Sequence, residues 1–174
     1  GNITYVDNKY KYIDFGISTT FNNKNEIEER ALNEFRTDRI YIYYSFDILY
    51  LYASKSKLYL EKYGKSRKNY DTLKDIQEVL FDRNFDLIHD ELLNLALNKG
   101  LNERQTIEKL DTYSLGITIC KLLFDNIIQN LDYLNDQQLI YKIKEIVNYQ
   151  SLRPFMNLLK QMTEPISTER ISPV

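Results

Sequence analysis

Tryptophan is absent from the 174 residues, and histidine and cysteine each occur once, as His89 and Cys120. A lone cysteine rules out an internal disulfide framework, and with a single imidazole it cannot build a structural zinc site. A reducing, cytoplasmic setting is therefore the expectation. Only three prolines and five glycines interrupt the chain, a scarcity that an AT-rich coding genome would produce and that speaks to origin rather than mechanism. No apolar run reaches the roughly 20 residues that a bilayer span needs, and the polar opening Gly1–Lys11 lacks the pattern of a signal peptide. A membrane partner is not expected. An excess of charge of either sign is missing too: 23 Lys and Arg face 25 Asp and Glu. Without a basic field, nucleic acid is not an expected partner.

What is present is an apolar fraction of 43%, enough for one packed domain, with no repeat or low-complexity tract to divide it. Ile3, Tyr5 and Val6 lead into the turn-forming pair Asp7-Asn8, and Tyr10, Tyr12 and Ile13 follow with period two, which predicts a β-hairpin. Ser18 to Glu29 is polar and predicts a mobile loop reaching to Ala31. Arg36 to Lys57 is aromatic. Beyond Leu58 the period becomes helical. Asp71-Thr72 reads as a cap before Leu73, Ile76, Val79 and Leu80, and the next helix runs over Asp86–Lys99 with Gly100 as its C-cap. Asn102 would cap Glu103–Leu110, and Asp111 would cap a strongly apolar helix over Tyr113–Phe124 that belongs at the centre of a domain. Further helices are expected at Asn135–Tyr149 and Leu152–Met162, before an irregular tail bracketed by Pro165 and Pro173. The expected fold class is mainly α with a short N-terminal β-hairpin.

Chemistry concentrates at the hairpin. Asn2 precedes Asp14 by twelve residues, a length that lets a tight ribbon bring an amide oxygen and a carboxylate to one mouth. Such hard oxygen ligands suit magnesium, which takes few ligands from protein and fills its shell from phosphate and water. Gly16 permits a backbone excursion closed to residues bearing a Cβ, and Phe15 can anchor the turn in apolar surroundings.

Asp14-Phe15-Gly16 together with Asn2 resembles the protein kinase family, from the catalytic-loop Asn onward through the large helical lobe. By that resemblance Asp14 and Asn2 hold the Mg2+ ions that bridge the phosphates of ATP, with Phe15 and Gly16 completing the nucleotide site. Two later segments fit in the same order. Asp111-Thr112-Tyr113-Ser114-Leu115-Gly116 resembles the start of the family's buried central helix, where the Asp organises the catalytic loop and the Gly allows close packing. Leu158-Leu159-Lys160-Gln161-Met162, Pro165 and Arg170-Ile171-Ser172 resemble the closing signature, whose Arg pairs with the acid that ends the activation segment. Tyr44-Ser45-Phe46-Asp47 stands in place of the usual Ala-Pro-Glu and makes Asp47 the expected partner of Arg170.

The resemblance implies the C-terminal lobe of a protein-kinase-like α+β fold in three parts. Residues 1–57 would carry the metal-binding hairpin and activation segment, 58–110 a helical insertion projecting from the lobe, and 111–174 the central and closing helices. It implies an ATP-dependent, serine/threonine-type protein kinase with a protein substrate. The N-lobe with its Gly-rich loop and Lys, and the catalytic base, are expected upstream of Gly1. Divergent kinases encoded by large DNA viruses tolerate such departures, and the abundance of Asn, Ile, Lys and Tyr suits an AT-rich viral genome, with host cytoplasm or virion as the location. A pseudokinase-like scaffold docking a partner through the inserted helices is an alternative, as is a small-molecule phosphotransferase, which shares an Asn and a metal-binding Asp.

Other residues carry plainer expectations. Tyr41, Tyr43, Tyr44, Tyr50 and Tyr52 should pack rather than stack on bases. Lys65, Arg67 and Lys68 beside Gly64 read as a solvated loop, His89 as a surface or capping residue, and Cys120 as a small buried hydrophobe. Ser18, Thr19, Thr20 and Thr37 could accept phosphate or simply line a polar loop.

Overall fold

A computed structural model describes residues 3–12, 22–36, 43–55, 70–130 and 136–173. Within them the chain is mainly helical, with one two-stranded ribbon. Strands β1 (Ile3–Val6) and β2 (Lys9–Tyr12) pair antiparallel, Ile3 opposite Tyr12 and Val6 opposite Lys9. Asp7 and Asn8 make the connection with φ of 52° and 57°, the left-handed pair that a two-residue hairpin turn requires and that Asp and Asn tolerate best.

Helix α1 (Lys24–Arg36) occupies much of the stretch read from sequence as a loop to Ala31. The polar residues are there, but Ile27, Ala31 and Leu32 fall on one stripe and are buried. Glu26 meanwhile accepts from both Asn23 Nδ2 and Arg30. Three apolar residues at helical spacing outweigh the polarity of the rest, because the other faces can stay in water. Helix α2 (Phe46–Lys55) packs against α1, and Phe46, Ile48, Leu49, Tyr50 and Tyr52 are all buried on it. The tyrosines 50 and 52 thus pack in the core, Tyr43 and Tyr44 pack against it, and Tyr41 lies outside the described residues.

Helix α3 (Tyr70–Asp75) runs directly into a π-helical turn, Ile76–Leu80. Asp71 is therefore inside the helix rather than capping it. Asn84 caps helix α4 (Phe85–Leu97), its side chain accepting from the Leu87 amide at 3.1 Å. The exit from α4 differs from expectation: the left-handed residue is Lys99, φ 56°, while the Gly100 amide donates to the Leu95 carbonyl at 2.8 Å. Asn102 caps helix α5 (Glu103–Glu108) through the Gln105 amide at 3.0 Å, and a turn at Lys109 leads into helix α6 (Leu110–Asn130). Asp111 sits exposed in the first turn of α6 rather than at its cap. Helices α7 (Asp136–Val147) and α8 (Arg153–Met162) follow, and the stretch after Met162 is irregular.

One apolar core joins these elements. Leu73, Ile76, Phe85 and Leu92 of α3, the π-turn and α4 share it with Phe46 and Tyr50 of α2 and with Tyr113, Ile117 and Cys120 of α6. Residues 70–108 therefore do not stand off as a projecting insertion. Their apolar faces are the inner wall of the same core, and exposing them would forfeit about 25 cal/mol for each Å² of apolar surface. Among the described residues no helix is long and apolar enough to cross a membrane.

Candidate functional site

The expected pair Asp47 and Arg170 comes together at the base of α2. Arg170 Nη2 donates to Asp47 Oδ2 at 3.1 Å, across 123 residues of sequence, with both side chains at 0% exposure. Asp47 Oδ1 accepts from the Ser45 hydroxyl and, at 2.9 Å, from the Ile48 amide. Arg170 spends its remaining donors on backbone carbonyls, Glu164 at 2.6 Å, Pro165 at 2.9 Å and Lys109 at 3.3 Å. Its guanidinium carbon lies 4.8 Å from the centroid of the Tyr113 ring, a cation–π contact. Burial pushes the Tyr113 phenol above its usual range, with Arg170 opposing. Each of the three guanidinium nitrogens thereby donates at least one hydrogen bond, the condition for a buried charge to be tolerated.

Gly116 is where α6 meets the end of α8. A Cβ built there would lie 2.8 Å from Thr163 Cγ2 and 2.9 Å from Met162 Cβ, so only glycine admits this approach. Ser114 Oγ donates to the Tyr43 carbonyl at 2.6 Å, tying α6 to the residues that precede α2.

A second buried guanidinium, Arg83, lies beside the first cluster and nothing in its sequence setting signals it. Arg83 follows the π-turn, its side chain is 8% exposed, and its Nη2 donates to Glu164 Oε2 at 2.6 Å. It also donates to the Lys160 carbonyl, to Gln77 Oε1 and, at 3.2 Å, to the Thr163 carbonyl, which accepts from Gln77 Nε2 as well at 3.0 Å. These carbonyls belong to the end of α8, where the helix leaves backbone acceptors without amide partners. Burial lowers Arg83 below the ordinary arginine value while Glu164 holds it up, and burial raises Glu164 while Arg83 pulls it down. A polar run such as Asp82-Arg83-Asn84 reads as surface in any sequence, which is why Arg83 escapes sequence reasoning.

His89 is buried rather than superficial. It shares a hydrogen bond with the Tyr50 hydroxyl through Nε2 and stands edge-on to the rings of Phe46 and Tyr50, with centroids 5.6 and 5.5 Å away. Cys120 is fully buried, and burial pushes its thiol up to about 12.

Asn2, Asp14, Phe15 and Gly16 lie outside the described residues, as do Ser18, Thr19, Thr20, Thr37, Lys65, Arg67 and Lys68. The ribbon itself ends with Ile3 paired to Tyr12, and the expected ligands Asn2 and Asp14 belong to the sequence flanking it. An amide oxygen and a carboxylate make a donor set of the hardness that magnesium selects. Among the described residues no group of three or more His, Cys, Asp or Glu side chains could hold a metal ion. Comparison of the chain with protein-family models, with curated proteins and with solved structures finds no match.

Proposed function

We propose that this chain is the helical lobe of a protein kinase of serine/threonine type, transferring the terminal phosphoryl group of ATP to a protein when joined to the remainder of its catalytic domain. The observation that carries this reading is the buried Asp47–Arg170 pair. Two residues separated by 123 positions were expected to meet because of the motifs they stand in, and such a pairing has no local cause. The glycine contact between α6 and α8 and the hairpin that turns at Asp7-Asn8 are further support.

In this reading Asn2 and Asp14 would hold Mg2+, which would supply charge neutralisation at the transferring group. The chain's own contribution is positional. Asp47 anchors the start of α2 through Arg170, which fixes the segment that ends there, and Asp111, exposed at the head of α6, is available to accept from the catalytic-loop backbone. Position matters because in-line phosphoryl transfer depends chiefly on alignment and electrostatics rather than covalent chemistry. Asp14→Ala in the full-length protein should abolish phosphate transfer from ATP to protein substrates and leave the unfolding transition in place. Retained transfer would overturn the assignment, and phosphate appearing on small alcohols instead of proteins would favour the small-molecule alternative.

A further inference from the structure

The two buried arginines share one peptide. The Glu164 carboxylate accepts from Arg83 at 2.6 Å, and the Glu164 carbonyl accepts from Arg170 at 2.6 Å. Arg83 and Gln77 also hold the neighbouring Thr163 carbonyl, and Arg170 holds that of Pro165. Beyond Arg170 the path continues to Asp47 and to the first turn of α2. All of these atoms sit where water has little access: side-chain exposure is 8% for Arg83, 17% for Glu164 and 0% for Arg170 and Asp47.

We propose that Arg83 is a positioning residue, fixing the stretch 160–165 that orients Arg170 and, through Arg170, fixing Asp47 and α2. The helices between Tyr70 and Glu108 then set the geometry of the segment ending at Asp47, which neither their own sequence nor their distance along the chain suggests. Arg83 suits the task because a planar guanidinium can grip a carboxylate and two carbonyls at once in a fixed fork, whereas a lysine presents a single swivelling charge. Among the described residues Arg83 and Asp47 share no hydrogen-bond partner: Arg83 bonds Gln77, Lys160, Thr163 and Glu164, and Asp47 bonds Ser45, Ile48 and Arg170. The hydrogen-bonded route between the two runs through residue 164 and its neighbours.

Simple loss of packing makes a different forecast. Helix α4 begins two residues after Arg83, so a merely local role would loosen α4 first and α2 only through its contact with α4. Native-state amide hydrogen exchange, read helix by helix on the full chain, separates the two. Arg83→Met should speed exchange in α2 by about tenfold while α4 stays within about threefold of the parent. Asp82→Asn, which breaks the exposed Asp82–Lys144 pair of the same loop at 2.9 Å, should leave α2 unchanged. Should Arg83→Met fail to fold, Glu164→Ala removes the acceptor that Arg83 grips and should show the same order of effects at smaller size. Unchanged α2 exchange, or α2 loosening only in step with α4, would overturn the proposal.

The bearing of Arg83 on catalysis rests on the kinase reading, and there Arg83→Met should lower kcat for phosphate transfer with KM for ATP nearly unaltered. A protein in which α2 loosens but no phosphate is ever transferred keeps the role of Arg83 and loses the kinase.

Discussion

Single side chains decide the stability of the site, and the decisive ones are charged. Asp47 and Arg170 are both fully buried and satisfied, so removing either strands the other in a medium of low dielectric. Arg170→Met should cost about 3 to 5 kcal/mol, measured by denaturant unfolding, while a similar change at the exposed Lys121–Asp125 pair should cost well under 1 kcal/mol. Gly116→Ala tests close approach instead. Its new methyl group would press on Thr163 and Met162 at under 3 Å, and overpacking of that kind costs about 1 to 3 kcal/mol. Cys120 makes a chemical forecast: a buried thiol with its proton affinity raised to about 12 should resist alkylation at neutral pH until the chain unfolds, because the thiolate is the reactive form.

At the scale of elements, legibility followed the strength of the local signal. The hairpin was readable because Asp7-Asn8 sits between alternating strands and a left-handed turn tolerates few other pairs. Helices α4, α5, α7 and α8 were readable from their 3.6-residue period, within a few residues at each end, whereas α6 (Leu110–Asn130) extends well past the expected Tyr113–Phe124. Their ends were harder, since Lys99 rather than Gly100 takes the left-handed position after α4. Lys99→Gly should therefore stabilise the protein by up to about 1 kcal/mol, seen as a higher Tm, by relieving a side chain from a conformation suited to glycine. Helix α1 escaped because three buried residues, Ile27, Ala31 and Leu32, are a thin stripe among charges, and only tertiary contact reveals that it is enough. The buried positions of His89 and Arg83 are likewise invisible to any local rule: each is held by partners far along the chain, Tyr50 for one and Glu164 for the other.

For the whole molecule, the central finding is that residues 70–108 are built into the core rather than added to its outside. An insertion judged from sequence spacing alone looks dispensable. Its Leu73, Ile76, Phe85 and Leu92 show otherwise, being wholly buried against α2 and α6, so excision should abolish cooperative unfolding rather than merely trim a lobe. Burial raises Glu164 above the usual glutamate range, which gives the fold a pH signature. A carboxyl with a raised folded-state value binds its proton more tightly in the native chain, so its stabilising contribution is present below the ordinary glutamate value and is lost as pH rises through the elevated one. Stability should decline across that window, and Glu164→Gln should flatten the decline in thermal unfolding followed against pH.

The 123-residue span between Asp47 and Arg170 also constrains when the chain can finish folding. While a ribosome is still adding the residues after Met162, α2 has an aspartate destined for an anhydrous site and no cation to meet it. Closing so wide a loop comes at an entropic cost that only the assembled interior can offset. Maturation of the nascent polypeptide must therefore wait until Arg170 has emerged, and a translation arrest before that codon would leave a product that chaperones or proteases, rather than substrates, would recognise.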